Sequence, residues 1–384
     1  MTMNIDLLIA QGNQYREDNQ PAQALRCYAT AFVEDANCVH AWNNYGNVLR
    51  EMGEPKRALS FLQHALALDP TNTTSRFNLA VTYLLDGNYE QGWPAYEARW
   101  DYEHLAGTLP KFSQPKWTGQ ALQGKTILVI GEQGHGDNIQ FVRFVSHLVH
   151  LGATVLLQVT EGLVPLLKSN KVLSYVGNYV DPTPTFDYWV PIMSLPNVIG
   201  LTVDNIPKLI GYLGADQTLQ NSWRTRLGLK HKLQVGISWS GRRDSWINKH
   251  KSVPFETILE LVKKHPECNW VNLQLDATEQ EFAQLDSLGV KLFHTDIDSF
   301  ADTAALIMNL DLVVSVDTAV AHLAGALGRP SWIMLNQFAV DWRWLLNRND
   351  SPWYRTAKLF RQPAMGDWHS VLSQVSWHLS LFKI

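Results

Sequence analysis

Small and large apolar residues recur with a period of 34 residues along the first part of the chain. The aligned sets are Gly12/Gly46/Ala80, Tyr15/Leu49/Tyr83, Ala24/Ala58/Gly92 and Tyr28/Leu62/Tyr96. Small residues let two antiparallel helices approach closely, and large ones fill the groove between neighbours. Because one such helix pair cannot bury its own apolar face, the units stack. The pattern predicts three stacked helix pairs over residues 5–106.

Strand and helix patterns alternate from Lys125 onward. The expected strands are TILVIG (126–131), ATVLLQV (153–159), FDYWVPIMSLP (186–196), LQVGISWSG (233–241), NWVNLQL (269–275), KLFHT (291–295), DLVVSVD (311–317) and PSWIML (330–335). Helical stretches lie between them, the first at 138–152. Such a βαβ series is typical of parallel sheets covered by helices.

The series divides into two consecutive doubly wound units, which indicates two Rossmann-like lobes. We expect the first lobe at 125–215 and the second at 216–384, with an amphipathic helix at its end. Residues 107–124 are rich in Pro and Gly and lack periodicity, so they are expected to form a linker that docks across the next domain.

Composition narrows the class of protein. The formal net charge of −4 argues against a general nucleic-acid binder, which needs a basic face. The three cysteines form no CxxC pair, which favours a reducing compartment over a disulfide or zinc framework. No signal peptide and no long apolar stretch is recognisable, so we expect a cytoplasmic protein without a transmembrane segment.

The first chemically suggestive segment is Gly131–Asp137 (GEQGHGD), between a strand and a helix. Its glycines let backbone amides approach a ligand, and Gly134, His135 and Gly136 are the candidates to contact it. The order G-x-x-G-x-G differs from the dinucleotide fingerprint, so a nicotinamide cofactor is not indicated. Asp137 is either a plain helix cap or a general base for an acceptor hydroxyl.

The second segment is Ser315–Gly328 (SVDTAVAHLAGALG), where a buried strand leads into a helix of small residues. Free amides at Thr318 and Ala319, with His322 one turn later, would suit a diphosphate. An N-capped helix with a satisfied histidine is the simpler alternative.

A third segment, Ser238–Ser252, is a basic loop after the first strand of the second lobe. Its positive side chains indicate an anionic ligand, although charge runs are more often solvated surface. Aromatic segments around Trp342, Trp353 and Phe360 are expected mainly in core or domain contacts. None of these segments carries a recognisable metal-binding motif, so we expect neither a metal site nor a cofactor.

Two resemblances join these segments. The 34-residue register, with Trp42 and Pro70 at the expected places, resembles tetratricopeptide repeats. The segments GEQGHGD and SVDTAVAHLAGALGRPSW resemble the tetratricopeptide-repeat glycosyltransferases related to the heptosyltransferase family (family 9-like). That resemblance implies α-helical repeats followed by an α/β GT-B fold, with the acceptor on the first lobe and the nucleotide-sugar donor on the second.

The resemblance also implies roles for residues. Asp137 becomes the catalytic base, and Thr318 with the adjacent amide of Ala319 holds the donor diphosphate. The other donor-binding residues it implies are Ser238, Gly241, Lys251, Gln274, Asp317 and His322. His135 departs from the family, in which an apolar residue is usual, and it could tune the base, contact the acceptor or mark another role.

Three functions are compatible with these patterns. The first is a metal-independent, inverting glycosyltransferase of hexosyl- or heptosyltransferase type, acting on a protein or glycan hydroxyl with the repeats recruiting the acceptor. The second is a non-catalytic interaction protein with a degenerate glycosyltransferase-like domain. The third is a nucleotide-dependent epimerase of two-lobed fold. The sequence leaves the sugar, the base and the acceptor open.

Overall fold

The computed structural model describes residues 4–179, 184–228, 231–241 and 246–382. These residues form two compact units. The first contains the chain up to Lys111 together with Gly200–Ile206 and Gln337–Arg348. The second contains Phe112–Ile199, Pro207–Asn336 and the chain from Asn349 onward. Among the described residues, no helix is both long and apolar enough to span a bilayer.

The first unit is built on three helix pairs in the predicted register. Its helices are α1 (Ile5–Glu17), α2 (Pro21–Glu34), α3 (Val39–Glu51), α4 (Pro55–Leu68), α5 (Thr73–Leu85) and α6 (Tyr89–Tyr96). A Cβ at Gly12 would lie 2.4 Å from the Tyr28 ring, and one at Gly46 would lie 2.8 Å from Leu62 Cγ. The small residues of the repeat are therefore the points at which paired helices touch.

The repeats also hold a segment from far along the chain. The backbone N–H of Ala339 donates to the carbonyl of Glu51, at the end of α3, over 2.7 Å. Trp342 meets three rings of α6 edge-on, and its closest ring centroid, that of Trp93, is 5.2 Å away. Part of the repeat surface is thus covered by residues 337–348 of the same chain.

The second unit contains two parallel sheets. The first sheet has the order β3-β2-β1-β4 and the second β6-β5-β7-β8-β9. The strands are β1 (Thr126–Ile130), β2 (Thr154–Gln158), β3 (Tyr175–Gly177), β4 (Tyr188–Pro191), β5 (Leu233–Ser238), β6 (Cys268–Asn272), β7 (Leu312–Val316), β8 (Ser331–Leu335) and β9 (Ala357–Arg361).

Helices connect these strands. They are α7 (His135–Phe141), α8 (Val145–His150), α9 (Val164–Lys168), α10 (Leu195–Val198), α11 (Gln217–Leu227), α12 (Trp246–Lys251), α13 (Phe255–Lys264), α14 (Glu279–Ser287), α15 (Phe300–Ile307), α16 (Ala319–Ala326) and α17 (Trp368–Leu381). The core of the second sheet packs against α13 and α17, and the last of these is the predicted terminal helix.

Three strand assignments differ from the sequence prediction. The strand expected at KLFHT is wrong, because only Lys291 pairs with the sheet, through an isolated bridge to Val271. The sequence analysis does not predict β3, which pairs with β2. It predicts aromatic loop at β9, which pairs with β8 along its whole length. All three segments are short, and short strands are decided by the partner that the fold supplies.

The helix expected over 138–152 is interrupted. A 3-10 turn at Val142–Phe144 separates α7 from α8. The Ile139 carbonyl accepts from Tyr212 Oη at 2.9 Å, and the Gln140 carbonyl accepts from Arg143 Nε at 2.8 Å. These side chains take acceptors that a regular helix uses for its own amides, which accounts for the break.

Candidate functional site

The side chain of Asn138 stabilises the turn between β1 and α7 by hydrogen bonds to its backbone. Its side-chain oxygen accepts from the Glu132 N–H at 3.1 Å, and its nitrogen donates to the carbonyls of Glu132 and Gly134. The Glu132 carboxylate in turn accepts from the Met193 N–H at 3.0 Å. Because Glu132, Asn138 and Met193 are buried, these hydrogen bonds fix the backbone of the turn before any ligand arrives.

Asp137 lies in the first turn of α7, where its Oδ2 accepts from the Gly134 N–H at 2.8 Å. Gly134 is the N-cap residue and has no side chain to accept from the helix amides, so this contact is only the reciprocal half of a capping box. The residue is partly exposed. The structure therefore places Asp137 as a cap, a role that is compatible with its also acting as a base.

His135 and Gly136 face the second lobe. The His135 ring lies 4.9 Å from the Phe300 ring, between centroids. The residue keeps solvent-exposed surface, yet loss of water on the side toward the protein lowers the pKa of its imidazole. A Cβ at Gly136 would lie 2.8 Å from Cδ2 of His322 and 3.6 Å from Cα of Ala319. Only a residue without a side chain fits this contact between α7 and α16.

The contact at Gly136 joins the two segments that the sequence singled out separately. Gly136 belongs to the turn after β1, and Ala319 and His322 belong to the first turn of α16. Two motifs about 180 residues apart in the chain thus form one site, at the carboxyl ends of β1 and β7. Ligands of open α/β sheets bind at such edges.

The N-terminus of α16 has no side-chain cap among the described residues. Thr318 is the N-cap residue in an extended conformation, and within the described chain its side chain makes no capping hydrogen bond. Its Oγ1 instead lies 3.1 Å from Oγ of Ser315. The first amides of a helix have no intrahelical acceptor and carry the positive end of the helix dipole. This end of α16 is therefore suited to an anion.

A line of polar contacts runs beside the open end of α16. Lys251 Nζ donates to Asp317 Oδ2 at 2.6 Å, with the two side chains only 13% and 7% exposed. Asp317 Oδ1 lies 3.7 Å from His322 Nε2, and His322 Nδ1 lies 2.8 Å from Tyr354 Oη. A lysine has three donors, so Lys251 can hold Asp317 and still donate to a phosphate oxygen.

Ser238 and Gln274 meet at the carboxyl end of β5. The Gln274 side-chain oxygen accepts from Ser238 Oγ at 3.0 Å and from the backbone N–H groups of Trp239 and Ser240. Gln274 thereby holds the turn after β5, and its predicted nucleoside contact stays a prediction. A Cβ at Gly241 would lie 2.7 Å from Asn248 Oδ1, so this glycine packs against α12.

A cleft of about 380 Å³ opens beside this turn. Its lining residues are Trp239, Ser240, Asn248, Ser252, Val253, Phe255 and Glu281. The basic residues Arg242 and Arg243, on which the anionic-ligand hypothesis for this loop partly depends, lie outside the described residues.

Two residues of the site, Asn138 and Arg143, escaped the sequence analysis, and Tyr354 was identified only as part of an aromatic segment that could border the donor pocket. Tyr354 orients His322, Asn138 fixes the first turn, and Arg143 donates to the Trp353 carbonyl at 2.8 Å and to Tyr212 Oη at 3.0 Å. Arg143 thus ties the first lobe to the segment before β9. An isolated arginine in an apolar helical stretch was the one available signal, since buried arginines are rare unless paired.

Comparison with family models gives matches in both units. Models of the tetratricopeptide repeat match residues 39–72 and 61–93. The model of glycosyltransferase family 9 (heptosyltransferase) matches residues 297–333, which include β7, the open end of α16 and His322.

Longer matches are found to a relative and to two solved structures. Protein FlbA of Caulobacter vibrioides is 26% identical over 430 residues, covering 96% of this chain and 71% of that protein. A glycosyl transferase family 9 structure from Veillonella parvula superposes with a TM-score of 0.50 at 11% identity, over 70% of this chain and 92% of that one. The structure of E. coli ADP-heptose lps heptosyltransferase II gives a TM-score of 0.46 at 12% identity, over 67% and 99%. The predicted fold class is confirmed: helical repeats precede a parallel-sheet α/β region that resembles GT-B glycosyltransferases.

Proposed function

We propose that this chain, which joins tetratricopeptide repeats to a glycosyltransferase family 9 (heptosyltransferase) domain, moves a sugar from a nucleoside-diphosphate sugar to a hydroxyl of a protein or glycan. The observation that carries the proposal is the contact between Gly136 and the first turn of α16. It brings the candidate base, the uncapped helix end and the Lys251–Asp317 pair to one place.

The donor diphosphate is proposed to lie at the start of α16. The amides of Thr318 and Ala319 would donate to its oxygens, and Lys251 would supply a positive charge. As the bond between the anomeric carbon and the phosphate oxygen breaks, negative charge grows on the leaving diphosphate. Donors that are already oriented in a partly buried site stabilise that charge without reorganising. These groups supply the role that a metal ion plays in other transferases.

The acceptor reaction needs one further group. In the proposed inverting displacement, the acceptor oxygen forms a bond to the anomeric carbon opposite the leaving phosphate, and the acceptor proton passes to Asp137. Asp137 is partly exposed, which leaves the residue accessible to an acceptor, and its Oδ2 accepts from the Gly134 N–H. His135, beside it, would contact the acceptor as a largely neutral imidazole.

The remaining parts of the proposal concern partner and place. We propose that the repeats recruit the acceptor through surface other than that covered by residues 337–348. A cytoplasmic location is proposed because Cys27, Cys38 and Cys268 are all free thiols, which suits a reducing compartment.

The test is ligand binding by the full chain, measured as thermal shift and calorimetry with ADP-, GDP- and UDP-sugars. A true donor raises the melting temperature because it binds only the folded state. Lys251→Met should weaken that binding by about 1–3 kcal/mol, the value of a charge-assisted hydrogen bond.

Each contrary result points to an alternative. If no nucleoside-diphosphate sugar binds or turns over, the chain is the non-catalytic interaction protein. If the donor is isomerised and no glycoside forms on any acceptor, the chain is an epimerase. If Lys251→Met binds the donor as tightly as wild type does, the pocket is misplaced.

A further inference from the structure

A second pocket lies at the opposite edge of the second sheet. It has a volume of about 600 Å³ and is lined by Arg224, Thr225, Leu227, Gly228, Gln234, Met308, Asn309 and Arg329. Gln234 is near the start of β5, Asn309 shortly precedes β7, and Arg329 precedes β8. We call this site the amino-edge pocket. The proposed donor site lies at the other ends of β5 and β7, about 15–20 Å away at roughly 3.3 Å per strand residue.

Gln234 carries the strongest indication of a ligand. The residue is only 2% exposed, and neither Nε2 nor Oε1 of its side chain has a hydrogen-bond partner in the part of the chain that the structure describes. Both backbone groups of Gln234 are hydrogen-bonded: its N–H donates to Asp311 Oδ2 and its carbonyl accepts from the Asp311 N–H, both at 2.9 Å. A buried amide without partners is unfavourable, so this side chain, which lines the pocket, is matched only when something binds there.

Two arginines, Arg224 and Arg329, make the amino-edge pocket positively charged. Arg329 donates through Nη2 to the Leu310 carbonyl, while its buried Nε has no acceptor in the described structure. Arg224 is exposed, and its Nε is 3.4 Å from Asn309 Oδ1. The lining set includes no acidic residue. Guanidinium groups match the planar geometry of carboxylates and phosphates, so the pocket favours an oxyanion.

The nearby end of α11 does not oppose this charge. The carbonyl end of a helix repels anions. Here the Leu227 carbonyl, the last of α11, accepts from Lys291 Nζ, which neutralises that end. Leu227 and Met308 contribute apolar surface to the pocket lining, which suits an organic ligand better than a bare ion.

We propose that the amino-edge pocket binds a small organic oxyanion, a phosphate or a carboxylate, that also carries a hydroxyl or amide group. The arginines take the anion, and Gln234 pairs with the neutral polar group as both donor and acceptor. The site is separate from the proposed donor site, and it stands whether or not the chain transfers sugars.

The experiment is calorimetric titration of the full chain with inorganic phosphate, glucose 6-phosphate and citrate. We expect glucose 6-phosphate or citrate to bind more tightly than inorganic phosphate, and the preferred probe identifies the anion. Gln234→Leu should weaken that binding at least about tenfold, because it removes the polar pairing and keeps similar volume. Since it also removes the unmatched buried amide, its melting temperature should equal or exceed that of wild type.

The arginine variants supply a matched pair. Arg224→Met should weaken binding about as much, whereas Arg226→Met, on the same helix but paired with Asp296 outside the pocket, should not. Lys251→Met should leave the affinity unchanged, which separates this pocket from the donor site. The proposal is overturned if no probe binds, if Gln234→Leu and Arg224→Met bind as wild type does, or if only Lys251→Met weakens binding.

Discussion

The turn after β1 and the turn after β7 both carry small residues from a buried strand into a helix, yet they use their acidic residues differently. At α7, Asp137 accepts from the N–H of the N-cap residue, Gly134, within its own turn. At α16, the N-cap Thr318 makes no side-chain capping bond among the described residues, and the acidic residue before it, Asp317, accepts from Lys251. The first acidic residue stabilises its own turn, and the second holds a cation beside the start of the helix.

This difference separates structural from ligand-binding uses of similar sequence. Asp137 is anchored through Oδ2 to its own turn, whereas Asp317 is bound to a lysine of another helix. An uncapped end keeps a positive potential that a diphosphate can neutralise. The pairing of Lys251 with Asp317 keeps the lysine charged and close to that end while the site is empty.

The largest expected effect is on turnover in Asp137→Asn. Asn caps a helix about as well as Asp, so the melting temperature and donor affinity should change little. Loss of the base should lower turnover by about 10²–10⁴, measured with any donor and acceptor pair that the wild type uses.

Asp137→Ala is the companion to Asp137→Asn. It should lose the same activity and about 0.5–2 kcal/mol of stability as well, because the cap is removed. Near-normal turnover in Asp137→Asn would reduce Asp137 to a cap and make His135 the next candidate base. Loss of donor binding in Asp137→Asn would make it a ligand-site residue.

The next effect concerns the contact that joins the two turns. Gly136→Ala places a methyl group 2.8 Å from Cδ2 of His322, whose ring is buried and held by Tyr354. Overpacking of this kind costs about 1–3 kcal/mol, measured by chemical denaturation.

Gly214→Ala is the matched control, since a Cβ there meets nothing within 4 Å. Its stability should stay within about 0.5 kcal/mol of wild type. Equal stabilities for Gly136→Ala and Gly214→Ala would show that α7 and α16 are not in contact in solution.

The smallest effect tests whether α16 is uncapped. Thr318→Ala removes no capping bond, so it should cost less stability than Thr278→Ala, which breaks the capping box of α14 and should cost about 0.5–2 kcal/mol. Donor affinity should respond in the opposite order, with Thr318→Ala weakened and Thr278→Ala unchanged. If Thr318→Ala is the more destabilised variant, α16 is closed by its threonine and the comparison between the two turns fails.

Periodic features were predictable from the sequence because they depend on local spacing. The 34-residue register fixed where paired helices touch, at Gly12 and Gly46, and buried apolar runs located most strands of both sheets. The segments that supply the candidate site were also visible, since glycine-rich and small-residue turns between strand and helix have a distinct composition. The family model matches only the second of these segments, within residues 297–333, and that match depends on the pattern of residues and not on coordinates.

Tertiary structure decided what depends on distant partners. KLFHT and β9 exchanged their expected roles because pairing with β6 or β8 decides a short strand, and residues 337–348 joined the repeats although they lie between β8 and β9 in the chain. Asp137 and Thr318 are both polar residues at helix starts. Only the coordinates show that Asp137 accepts a hydrogen bond from the Gly134 N–H, whereas Thr318 makes no capping bond among the described residues. The unmatched amide of Gln234 is equally invisible in the sequence, because a hydrogen bond that is missing in the fold leaves no local pattern in the chain.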